Sequence, residues 1–303
     1  MRRTIAAMTG AAVTALTIPA LMAAAPASAQ SAQSATHTAR TDPVSALRRQ
    51  FRAGHGVRLT EQAKLIGEGK HQRTVYARNR GVLEFGAAGV AASDLTSSFE
   101  LPVEDRKAAE MFAPSRTITV KGTSYTQGGI FKDSLPEGKK WLRGRDDTLA
   151  LINPSQKLLN PLEPATLKAA LAHTTARRPG GTWDGTRTVV HSGSLTLGEL
   201  YRISPTVRAV LGAKPSAKSA PLKVTWQLYI GSDQLVRRVV SSYTQSIRGL
   251  SSVDITYLND SRYTGWGTRS AIKAPPASEV ADFDELKIGD TTSGDAYVQL
   301  FNG

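Results

Sequence analysis

Cysteine is missing from this 303-residue chain, and its absence excludes three things at once. No disulfide framework can brace the protein, so its stability rests on a buried core. There is no thiol nucleophile or thiolate metal ligand, and no cysteine at the expected cleavage site below that could carry a lipid anchor. Histidine is scarce: His37, His55, His71, His173 and His191 are the whole set, and none stands at a familiar metal-ligand spacing. Long apolar runs are confined to the N-terminus. No later segment is long and apolar enough to span a bilayer, so the mature chain is expected to be soluble. Negative charge is also in short supply, with 25 acidic against 38 basic residues.

The N-terminus has its own signature. Met1-Arg2-Arg3 is a short basic region, Ile5 to Ala25 is apolar and rich in Ala and Thr, and Ala27-Ser28-Ala29 is a small-residue cleavage pattern. This reads as a secretory signal peptide over residues 1–29. Its removal leaves 274 residues and lowers the net charge from +13 to +11. A strongly basic exported protein is drawn to polyanions, such as anionic cell-wall polymers and anionic lipid headgroups. The basic pairs Arg48-Arg49, Lys139-Lys140, Arg177-Arg178 and Arg237-Arg238 are widely separated. No nucleic-acid motif accompanies them, so specific nucleic-acid binding is not expected.

Organisation follows from punctuation and period. Residues 30–41 are small, polar and aperiodic, and are expected to form a disordered arm. Asp42 and Pro43 open a helix with Val44, Leu47 and Phe51 at helical spacing. From Val57 to Leu142 the pattern turns to strands, separated by Gly, Asn-Arg-Gly, Pro and Glu-Gly. Glu163-Pro164 opens a second helix, and LTLGELYRI and TVRAVL read as two short ones, with a strand in TRTVVHSGSLTL before them. A further strand is expected in SSVDITYLN, a closing segment up to Leu286, and a loose tail over residues 287–303. The order helix, strands, helices, strands predicts one α+β domain over residues 42–286, with a curved antiparallel sheet and helices gathered on one side.

The segment VTWQLYIGSDQLVRRVVSSY (224–243) reads as a hairpin around Gly-Ser-Asp-Gln. Val224, Trp226, Leu228 and Ile230 share one face and Thr225, Gln227 and Tyr229 the other. Such a row is covered either by the protein's own core or by a bound apolar molecule. A curved sheet covered by short helices leaves volume for the second. Candidate lining residues are therefore Trp141, Trp226, Leu228, Ile230, Val239, Ile255 and Tyr257 on the sheet, with Leu200 and Tyr201 on a covering helix. Arg237 and Arg238 are candidates for meeting a phosphate headgroup at the mouth. Trp266, between Gly265 and Gly267, is expected to project from a turn.

The segments DPVSALRRQF, GVLEFGAAGVAASDL, LPEGKKWLRG, LEPATLKAALAH, WQLYIGSDQLVRRVV and YTGWGTRSAIKAPPASEVAD, taken in order, resemble the LppX/LprG-type lipid-binding lipoproteins of actinobacteria and, more distantly, the LolA/LolB carriers. The resemblance spans Asp42 to Leu286. It implies an incompletely closed antiparallel barrel whose mouth is plugged by helices, and a cavity that takes up acyl chains. The absent lipobox cysteine departs from that pattern and removes the tether. Peripheral membrane contact is a further expectation for a basic exported protein.

Catalysis and cofactors are not expected. His191 and Ser192 are adjacent on a strand and so face opposite ways, and no G-x-S-x-G elbow is present. The acids Asp146, Asp147, Asp290 and Asp295 lack calcium-loop spacing. The alternative to an apolar-ligand carrier is an envelope interaction or sensory module with a filled core, binding wall polymers or a protein partner through its basic surface.

Overall fold

Period-two alternation runs through most of the chain, and in the structure, a computed structural model, it becomes twelve strands of one sheet. Residues 42–68, 73–100, 113–145, 157–248 and 252–286 are described. The expected leader (1–29), arm (30–41) and tail (287–303) lie outside them, as do His37, His71, Asp146, Asp147, Asp290 and Asp295.

The strands are β1 (His55–Glu68), β2 (Arg73–Gly86), β3 (Gly89–Glu100), β4 (Ser115–Val120), β5 (Thr123–Gly128), β6 (Trp141–Arg145), β7 (Thr174–Trp183), β8 (Thr186–Thr196), β9 (Lys223–Gly231), β10 (Val236–Arg248), β11 (Ser252–Arg269) and β12 (Val280–Ala281). Their spatial order is β12-β6-β5-β4-β3-β2-β1-β11-β10-β9-β8-β7. Every pairing is antiparallel except the short parallel contact of β12 with β6. The sheet is curved and does not close, so β12 and β7 are its edges.

Among the described residues the α-helices are few: α1 (Pro43–Gln50), α2 (Pro164–Ala172), α3 (Leu197–Ile203) and α4 (Pro205–Leu211). Their starts follow local chemistry. The Asp42 carboxylate accepts the Val44 and Ser45 N–H groups at 2.9 and 3.1 Å, with Pro43 at the first helical position. Thr196 and Glu199 form a reciprocal capping box on α3, and Ser204 Oγ accepts the Val207 N–H on α4.

Three elements differ from the sequence expectation. Asn79-Arg80-Gly81, read as a separator, lies inside β2, because strands pair with it on both sides. Gly81 is needed there, since a Cβ would stand 1.9 Å from the Asp94 carbonyl oxygen of β3. The strand β7 has no apolar alternation to announce it; it is a mostly exposed edge interrupted around Pro179-Gly180-Gly181. Finally, β11 runs on through Gly265-Trp266-Gly267, where both glycines take positive φ (60° and 80°). The Trp266 ring thereby stacks on Phe85 at 5.9 Å, and its Nε1 donates to the Val236 carbonyl at 3.1 Å.

Register decides which residues share a face. Tyr263, Leu59, Gly81, Leu95, Thr117, Thr126 and Leu142 stand opposite one another in succession from β11 to β6. That face, the inner one, carries the main buried cluster. In it Val57, Leu59, Phe85, Trp226, Leu228 and Tyr263 of the sheet meet Leu47 of α1, Leu167 of α2, Leu200 of α3 and Val207 of α4.

Candidate functional site

The row that begins in β9 has a cover. Val224, Trp226, Leu228 and Ile230 are between 0 and 3% exposed, and they belong to the same buried cluster as Leu158, Leu159, Leu162, Leu167, Leu197 and Leu200. Burial of side chains of this size is worth about 1.5–3 kcal/mol each. Across β10 and β11 the row continues: Leu228 faces Val239, Trp226 faces Ser241, and Ser241 faces Asn259. Tyr243 and Tyr257 are neighbours on the same face, their rings stacked at 4.7 Å. Burial pushes the Tyr243 hydroxyl well above its ordinary pKa.

Of the residues singled out in the sequence, Leu200, Trp226, Leu228, Ile230, Val239, Ile255 and Tyr257 all lie in this cluster, and Tyr201 packs against it half-buried. Trp141 does not. The register of β6 gives Leu142 the inner face, so Trp141 takes the outer one, where the Arg116 guanidinium lies 5.7 Å from its ring.

Arg237 and Arg238 also depart from the expected place at a mouth. Arg237 is the extra residue of a β-bulge and is buried, with Nη2 donating to Asp233 at 2.6 Å and Nε 3.9 Å from Asp184. Arg238 points to the outer face and grips Asp260 through two bonds of 2.8 and 2.7 Å. Both cations are held by carboxylates.

A polar centre interrupts the apolar layer. Glu61 accepts hydrogen bonds from Ser261 Oγ (2.6 Å), Asn79 Nδ2 (3.1 Å) and Lys157 Nζ (3.2 Å). Lys157 Nζ also donates to Tyr263 Oη at 2.7 Å, and Ser97 Oγ donates to Asn79 Oδ1 at 2.7 Å. Burial opposes the Glu61 charge, but Lys157 and the hydrogen bonds from Ser261 and Asn79 outweigh it and hold the carboxyl below its ordinary value. Burial likewise opposes the Lys157 charge, and Tyr263 and Glu61 overcome it, raising the ammonium's pKa.

Three buried polar atoms on the same face have no hydrogen-bond partner among the described residues: Trp226 Nε1, Asn259 Oδ1 and His191 Nδ1. Trp226 and Asn259 stand in one cross-strand row with the small residues Gly193, Ser241, Ala63 and Ala77. His191 is opposite Leu228 on the inner face, whereas Ser192 is opposite Gln227 on the outer. Burial, and then Arg177, lowers the His191 pKa. Among the described residues no group of three or more acids and histidines stands together as a metal-ligand set. No helix among them is long and apolar enough to cross a membrane.

No protein-family model matches the chain, and no curated protein matches it. Solved structures do. A LolA superfamily protein from Nitrosomonas europaea is 8% identical over 76% of this chain and 93% of its own, with a TM-score of 0.25. A DUF1329 family protein from Desulfovibrio piger is 9% identical over 74% and 92%, also at 0.25.

The polar centre escaped the sequence reading, although one signal of it was there. In β1 the same-face positions are Val57, Leu59, Glu61, Ala63 and Leu65, and an acid in the middle of an apolar stripe marks a buried charge. Its partner Lys157 comes from an aperiodic segment that no local pattern points to.

Proposed function

We propose that the protein is a secreted, noncatalytic binding protein that holds an apolar ligand, the acyl chains of an envelope lipid, between the curved sheet and the helices covering its inner face. The observation that carries this reading is the set of unpartnered buried atoms on that face. An unsatisfied buried polar group costs about 1–3 kcal/mol, and native folds leave few of them. Trp226 Nε1 is a donor and Asn259 Oδ1 an acceptor. An ester carbonyl and a hydroxyl on an otherwise apolar ligand would satisfy both, while each buried methylene contributes about 0.8 kcal/mol. The basic, then apolar leader over residues 1–29 supports export. The resemblance to LppX/LprG-type proteins supports the ligand class.

The test is native mass spectrometry of the protein purified from its own culture medium, before and after organic extraction. A stoichiometric adduct that extraction removes is the expected result. In the stripped protein a brominated fatty acid should quench tryptophan emission, and Trp226→Phe should abolish most of that quenching. A clean mass, together with no uptake of the brominated probe, would mean that the row covers only the chain's own core.

A further inference from the structure

The outer face of the sheet gathers cations that are far apart in the sequence. Pairing runs unbroken from β4 to β7: Arg116 opposite Thr96, Thr96 opposite Arg80, Arg80 opposite Thr60, and Thr60 opposite Arg262. It continues with Arg262 opposite Arg238, Arg238 opposite Tyr229, Tyr229 opposite Val190, and Val190 opposite Arg178. Directly opposed residues share a face, so Arg116, Arg80, Arg262, Arg238 and Arg178 form one line across nine strands. At about 4.8 Å per strand the line is on the order of 40 Å long. All but the half-buried Arg238 are exposed. Beside the β4 end, a cleft of about 320 Å³ is lined by Arg58, Arg116, Arg269 and Lys273, with Asp94 in its wall.

Carboxylates do not cancel this charge. Arg116 holds Asp94 through bonds of 2.8 and 2.6 Å, and Asp260 is shared by Arg238 and, at 3.8 Å, Arg262. Among the described residues Arg58, Arg80, Arg178, Arg269 and Lys273 have no carboxylate partner. The aromatic rings beside the line are already covered. Arg238 lies 4.7 Å from the Trp183 ring centre and 5.1 Å from that of Tyr229, with Arg262 5.0 Å from Trp183. Neither ring offers a nucleobase a free stacking platform. A line one residue wide on a curved face suits a chain better than a planar bilayer.

We infer that this outer face binds a linear phosphodiester polymer without bases, a polyol phosphate, laid along the arginine line with an anionic group in the cleft. Guanidinium groups match phosphate oxygens in bidentate geometry, and each phosphate contact releases counterions and makes binding salt-dependent. The inference does not depend on any ligand at the inner face.

The experiment titrates the full chain with a defined poly(glycerol phosphate), with single-stranded DNA of equal charge and with phosphatidylglycerol vesicles, over a salt series. The double variant Arg80→Gln, Arg178→Gln removes two exposed, unpaired cations of the line. Arg48→Gln, Arg49→Gln removes the same charge from the exposed side of α1, and circular dichroism checks that both variants stay folded. The polymer should bind tightest. The line variant should weaken it about tenfold and lower the log–log salt slope by about 1 per arginine, with the α1 variant unchanged. Equal losses in the two variants would reduce the effect to net charge and overturn the inference. DNA or vesicles binding as tightly as the polymer would overturn it too, and would name the other partner class.

Discussion

Glu61 stands where the alternation of β1 calls for an apolar side chain. Its burial is tolerable because Lys157 and two neutral donors surround it. Such a pair adds little net stability, but removing one member strands the other. Glu61→Gln should therefore cost about 3–5 kcal/mol in urea unfolding, by leaving the Lys157 ammonium buried without a counter-charge. Adding Lys157→Met should recover most of that loss. The pH dependence has a definite sign. The folded Glu61 carboxyl lies below its ordinary value of 4.5, so its contribution is complete above that value and is lost as pH falls through the folded pKa. The variant with both changes should lack this part of the acid destabilisation, which a series of unfolding midpoints between neutral and acid pH would show.

At the scale of elements, α2 is tied to the junction of α3 and α4 at a single carboxylate. Glu163, just before α2, accepts from Thr166 Oγ1 (2.7 Å), from Ser204 Oγ (2.6 Å), and from the Thr206 N–H and hydroxyl (2.9 and 2.7 Å). Ser204 in turn caps α4. The start of one helix thus fixes the junction of the next two. Glu163→Ala should destabilise the protein by about 2 kcal/mol, the scale of a lost cap plus polar groups left unsatisfied. Hydrogen exchange should locate the effect: amides of α3 and α4 speed up, while those of β9 to β11 keep their protection.

An unclosed sheet leaves the whole molecule with two edges to protect. β12 is two residues long. β7 is longer, and it carries Arg177, Arg178 and Pro179 along a mostly exposed stretch broken by bulges. Charge, proline and bulges are the usual means of discouraging edge-to-edge pairing. Arg177→Val with Pro179→Val restores a backbone donor and removes a charge while leaving Arg178 in the arginine line. The variant should associate with rising concentration under conditions where the parent does not, as light scattering coupled to size exclusion would record.

Much of this molecule was legible in the sequence, wherever the controlling physics is local. Period two announced the β9 and β10 hairpin and grouped Trp226, Leu228, Ile230, Val239, Ile255 and Tyr257 on faces that the structure joins. Asp42 and the prolines at 43, 164 and 205 announced α1, α2 and α4, and LTLGELYRI read as the short helix that is α3. The rest depends on pairing between segments distant in the chain. Nothing within WLRGR tells whether Trp141 or Leu142 turns inward, because the phase of β6 is inherited from β5. The bulge that buries Arg237 and sends Arg238 outward exists only as a mismatch between two strands. β7 lacks the buried face that would give it a pattern. The arginine line is the fullest case: Arg80, Arg116, Arg178, Arg238 and Arg262 read as scattered surface charge until cross-strand register sets them in one row, with Thr96, Thr60, Tyr229 and Val190 between. Periodicity is a property of a few consecutive residues, whereas register and face belong to the sheet, and only the folded chain decides them.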